Sequence, residues 1–84
     1  MVKSDHGPTD TVLAHLFAMI ASPDRMDRTA QVCKSALSKI KLSRHKKALA
    51  DFRDDILDAR DDKRALARLR GDIEKWMNKN GFRP

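Results

Sequence analysis

Apolar residues recur along this chain at helical spacing, in four stretches separated by short polar breaks. The first holds Val12, Leu13, Leu16, Phe17, Met19 and Ile20. It predicts a helix from Thr9 or Asp10 to Ala21, with Thr9, Asp10 and Thr11 as N-cap candidates. These apolar positions cover well over half its girth, which places the helix at the centre of the fold or under a partner. Ser22-Pro23-Asp24 predicts a stop and a restart: Ser22 as cap, Pro23 at the first helical position, Asp24 at the positive helix end. A second helix is expected to run on to Lys41. Its apolar residues Met26, Ala30, Cys33, Leu37 and Ile40 step by 4, 3, 4 and 3. At about 100° per residue they stay within roughly 40° of one line, a narrow seam of coiled-coil type.

Ser43 is the expected cap of a third helix, with its stripe at Ala48, Leu49, Phe52, Ile56 and Ala59. A fourth stripe follows at Leu66, Leu69, Ile73 and Trp76, and Asn80-Gly81 should end it. Residues 48–56 read ALADFRDDI and residues 65–73 read ALARLRGDI, identical at six of nine positions and offset by 17. On one straight helix that offset turns the two copies about 100° apart, so their stripes could not share a core. A break near Asp61-Asp62 removes the conflict, since either aspartate can cap a new helix. An unbroken helix over residues 44–78 would span about 52 Å and imply a homodimer.

The fold class is therefore all-α, a small bundle of three to four short helices. Residues 1–8 lack periodicity and read as a flexible N-terminal tail, leaving residues 9–84 as one helical domain. There is no Tyr, and Val and Thr are sparse outside residues 9–32, which argues against a sheet. One cysteine, Cys33, cannot close an intramolecular disulfide and suits a reducing compartment. No apolar run approaches the roughly 20 residues of a membrane span. Ahead of Val12–Ala21, Asp5 and Asp10 offset Lys3, so a basic leader is missing and a cytoplasmic location is expected.

Charge changes this picture at one place. Residues 1–27 carry two basic and four acidic groups, residues 28–50 seven and none, and residues 51–84 nine and eight. The middle block therefore contributes seven positive charges to a chain whose net charge is +6. Its members are Arg28, Lys34, Lys39, Lys41, Arg44, Lys46 and Lys47, with His45 among them. Lys39 and Lys41 near a helix C-terminus suit the macrodipole, but Arg44, Lys46 and Lys47 in a first turn oppose it. A sequence shaped for folding alone would put carboxylates there, so a bound anion is the expected compensation. The four aromatics lie outside the block, which disfavours stacking on single-stranded bases and leaves contact with a duplex backbone open. Ile40-Lys41-Leu42-Ser43-Arg44 resembles the turn of a helix-turn-helix, where a short apolar-Ser-Arg step opens the recognition helix. Lys41 departs from the Gly such turns favour, and the apolar residues after Ser43 fall one place late, at Ala48.

Other chemistry is thin. His6 and His15 have no spaced partner, and no metal or cofactor is expected. Cys33 in the apolar seam reads as a small buried residue. Asp51, Asp54, Asp55, Asp58, Asp61 and Asp62 alternate with Arg53, Arg60, Lys63 and Arg64 at spacings that suit ion pairs on a solvated face. No glycine-rich phosphate loop or nucleophile elbow occurs, and an enzyme is not expected. The expectation is a small regulatory binding protein. Lys34, Lys39, Lys41, Arg44, His45, Lys46 and Lys47 would dock its helix 2–helix 3 surface on nucleic acid through phosphate contacts. The alternative is a protein–protein interaction module, a stoichiometric inhibitor or adaptor, that meets an acidic or apolar partner surface; Trp76, if exposed, would be its anchor. A subunit that self-assembles through the seam of helix two is a third reading.

Overall fold

Four helices follow one another along residues 7–82, the part of the chain that this computed structural model describes. They are α1 (Gly7–Ala21), α2 (Met26–Leu37), α3 (Ser43–Asp58) and α4 (Lys63–Lys79), with a 3-10 turn at Pro23–Arg25 and no strand among the described residues. Residues 1–6 of the expected tail, and residues 83–84, lie outside that description.

The helix starts and stops differ from expectation in informative ways. α1 opens two residues early, at Gly7, so Thr9, Asp10 and Thr11 are all helical rather than caps. Pro8 suits such a start, because first-turn N–H groups have no intrahelical acceptor to lose. Thr11 donates its hydroxyl to the Gly7 carbonyl at 3.0 Å, and Thr9 is buried. Ser22 makes no side-chain cap, and Pro23–Arg25 forms a 3-10 turn that hands over to α2 only at Met26. α2 then ends at Leu37, four residues before Lys41. Its last carbonyls are closed by tight turns from Lys39 N–H to Ala36 and from Ile40 N–H to Leu37, each 3.1 Å. That curl keeps Ile40 in the core although it lies beyond the helix.

The α3–α4 break falls where the repeat demands it. Asp62 Oδ1 accepts from the Arg64 and Ala65 backbone N–H groups, both at 3.1 Å, and caps α4. Each copy of the repeat now has its own helix and turns the same positions inward. Leu49 and Leu66 are both buried, as are Ile56 and Ile73. At the far end Asn80 caps α4 and Gly81 takes a left-handed φ of 83°, a conformation that favours glycine. Phe82 N–H reaches back to the Met77 carbonyl at 2.8 Å, completing a Schellman-type stop and burying the Phe82 ring.

The chain runs up, down, up and down around one core. Val12, Leu16 and Met19 of α1 meet Met26 and Cys33 of α2, Leu49 and Ile56 of α3, and Ile73 of α4, all fully buried. Each large apolar side chain buried there contributes about 1.5–3 kcal/mol. The whole seam of α2 is buried inside the chain, so it offers nothing to a second copy. α4 packs on α1 and α3 and not on α2. The outer face of α2 is consequently bare.

Two arginines fix α2 against α3. Arg53 Nε donates to the Ala30 carbonyl at 3.0 Å, a half-buried bond between helices. Arg60, just beyond α3, grips Asp27 in the first turn of α2 through both nitrogens, at 2.6 and 3.3 Å. The pair is thus tied at both ends, by its linker and by this fork. α2 and α3 therefore pair in an antiparallel register, Ala30 beside Arg53 and Asp27 beside Arg60.

Candidate nucleic-acid interface

The basic block lands at one end of the bundle, where α2 stops and α3 starts. Lys34 is in the last turn of α2, Lys39 and Lys41 are in the linker, and Arg44, Lys46 and Lys47 open α3. All six are exposed. None takes part in an ion pair among the described residues, whose salt bridges are Arg53–Asp54, Arg60–Asp27 and Arg70–Glu74.

The start of α3 is unusually bare. Leu42 stands at its N-cap, no side chain caps it, and its first turn holds no acidic residue. α4 shows the ordinary solution in the same molecule, with Asp62 closing its first N–H groups. The other end of α3 is inverted as well, with Asp55 and Asp58 in the last turn and no basic residue there. Both ends therefore oppose the helix dipole, each charge costing a few tenths of a kcal/mol.

Helical geometry divides the block. At about 100° per residue, Arg44, Lys47, Asp51, Asp54, Asp55 and Asp58 fall within one arc of roughly 100° on the outer face of α3. That face turns from positive to negative within two turns. Lys46 lies on the other flank with Ala50, Arg53 and Leu57, the flank that meets α2. The antiparallel register of Ala30 with Arg53 and Asp27 with Arg60 brings the Lys34 end of α2 beside Lys46.

His45 is drawn away from the cations. It is half-buried, edge-on to Trp76 at 5.1 Å and to Phe82 at 5.6 Å, and those two rings stack at 5.6 Å. The cluster ties the first turn of α3 to the last turn of α4. Trp76 is half-buried in the same packing, so little of it is free to anchor a partner.

Three features escaped the sequence. Arg53 was read as one of the ion pairs of a solvated face; it does touch Asp54, but its Nε holds Ala30. Its place on the flank of Ala50 and Leu57 was the available signal. Val32 and Leu42 are exposed large apolar residues, at 50% and 49%. Val32 lies about 100° off the seam, which sequence spacing could have shown; Leu42 sits in the linker that the second helix was expected to occupy in part.

The remaining chemistry sits elsewhere. Cys33 is fully buried, and burial pushes its thiol up to about 11, with nearby Arg53 pulling slightly the other way. A groove of about 690 Å³, lined by Ile20, Pro23, Lys63, Leu66 and Arg70 among others, lies at the opposite end of the bundle. No group of three or more His, Cys, Asp or Glu among the described residues is placed to hold a metal ion. No helix among them is long and apolar enough to cross a membrane. Comparison with protein-family models, curated proteins and solved structures found no match, which leaves the basic corner and its geometry to carry the functional argument.

Proposed function

We propose that this chain is a small, non-enzymatic regulatory binding protein that docks its α2–α3 corner on the phosphate backbone of nucleic acid. One observation carries the reading: six exposed cations, none in an ion pair among the described residues, surround a helix N-terminus that has neither side-chain cap nor first-turn carboxylate. Phosphate supplies the missing charge on both counts, by pairing with the side chains and by accepting from the free N–H groups. Stoichiometric binding also fits the remaining side chains, because Cys33 is held as a buried thiol and the carboxylates of α3 line a solvated face. A cytoplasmic setting suits the lone buried cysteine.

The test is fluorescence anisotropy of random-sequence duplex at low and physiological salt, with a Lys46→Glu/Lys47→Glu variant alongside. Each phosphate neutralised contributes about 0.9 to the slope of log affinity against log salt. The wild type should bind with a steep slope, and the variant should lose about two units of it. No binding even at low salt would sink the reading.

A second reading has its own support. Leu42 is half-exposed in the linker next to Lys41, the composition of a contact with an acidic protein surface that has an apolar centre. That surface predicts a loss of binding for Leu42→Ala that salt does not reproduce.

A further inference from the structure

Four cations line the outer face of α4. Arg64, Arg68, Lys75 and Lys79 are all exposed and fall within an arc of about 60°, in a row about 22 Å long that points away from the buried Leu66, Ile73 and Met77. No carboxylate lies inside that arc. Asp72 stands about 20° beyond Lys79, and Glu74, on the other flank, is turned to Arg70 at 3.8 Å. None of the four cations takes part in an ion pair among the described residues. The other helices are built differently. α1 holds no Lys or Arg, α2 sets Arg28 and Lys34 about 120° apart, and on α3 four aspartates share the arc of Arg44 and Lys47.

Two features of the row cost the helix stability. Arg64 and Arg68, and again Lys75 and Lys79, stand four residues apart, the spacing at which like charges repel. Gly71 occupies the gap between Arg68 and Lys75, in a helix interior where glycine is a poor choice. Packing does not ask for it, since a Cβ there would meet nothing within 4 Å. An anion lying close along the row accounts for both: it relieves the repulsion, and the missing side chain lets it approach the backbone.

From this arrangement we infer that the outer face of α4 is a second phosphate-binding surface, along which a nucleic-acid duplex lies lengthwise. The inference rests on the nucleic-acid reading of the chain and extends it to another face. The Lys79 end of the row reaches the corner's end of the bundle, because the Trp76 ring, one turn earlier, lies 5.1 Å from that of His45 in the first turn of α3. Charge selects a polyanion. The arc holds no large apolar residue, whereas the core of a protein contact is apolar or aromatic. A duplex carries one negative charge per roughly 1.7 Å of its axis, so a straight row of about 22 Å meets phosphates along its whole length.

The measurement is anisotropy of a random duplex of about 20 bp, longer than the row, across a salt series. Arg68→Gln/Lys75→Gln is compared with Lys63→Gln/Arg70→Gln, which removes two charges from the same helix about 130–150° from the middle of the row. The row pair should lose about tenfold in affinity at low salt and about two units of salt slope, and the control pair should stay within about twofold of the wild type. Gly71→Glu separates lost contact from lost fold. Its side chain enters open space, four residues before Lys75. Circular dichroism should show it melting at or above the wild type while its affinity falls about tenfold. If it melts so and binds as the wild type does, the α4 surface is overturned. A row pair that binds normally while Lys46→Glu/Lys47→Glu fails overturns that surface and leaves the corner reading standing. Equal losses from the row and control pairs would overturn it as well, as an effect of net charge alone. A row pair that fails while the corner variant binds normally keeps the α4 surface and removes the corner. Wild-type binding to polyglutamate but not to duplex overturns both, in favour of an acidic protein partner.

Discussion

Asp27 and Arg60 meet on the surface, yet they close the open end of the α2–α3 hairpin. The hydrogen bond from Arg60, reinforced by its charge, holds the Asp27 carboxyl below its ordinary 3.8. A carboxyl more acidic in the folded state favours folding above its unfolded value, and the benefit disappears as pH falls through the folded value. The gap in melting temperature between wild type and Asp27→Asn should therefore be open at neutral pH and close below about pH 4. A gap that persists undiminished at about pH 2 would show that Asp27 acts through something other than its charge. Arg60 is raised by the same contact, but its titration lies far above any working pH. Cys33 is the opposite case: burial, not a partner, raises its thiol, and it stays protonated at neutral pH.

At the scale of elements, α3 stands apart because both of its ends oppose its dipole. Arg44→Glu should relieve one end, placing a carboxylate in the first turn three residues before Lys47. The expected gain is about 0.3–1 kcal/mol, a rise of a few degrees in melting temperature for a domain of this size. The same change should weaken duplex binding. A variant more stable and less able to bind would show that the sequence holds this turn for docking. Loss of both would mean that Arg44 supports the fold. α4, capped by Asp62, has no such reserve of stability to recover at its start.

Across the whole molecule, what could be read in advance was what periodicity governs. The core was legible because Met26, Ala30, Cys33, Leu37 and Ile40 share a line, and all are buried. The α3–α4 break was legible because the repeat could not otherwise turn Leu49 and Leu66 to one core. Boundaries were less so: α2 stops at Leu37 because two short turns curl Ile40 inward, and no residue type signals such a turn. The basic block was visible as composition, but not its division into an outward pair and an α2 flank, which depends on the hairpin register. His45 sat in the middle of the block in sequence and left it in space, since its ring found aromatic neighbours from a segment over thirty residues away.

That aromatic cluster gives the protein a built-in optical probe. Trp76 is the sole tryptophan, and its indole rests against His45, whose neighbours in the chain are Arg44 and Lys46. An anion settling on those two residues acts on the ring between them, and so on the surroundings of the indole. Intrinsic emission should therefore shift when duplex saturates the corner, with no dye attached and no residue replaced. Emission that stays unchanged at saturation would mean that the partner rests clear of the first turn of α3.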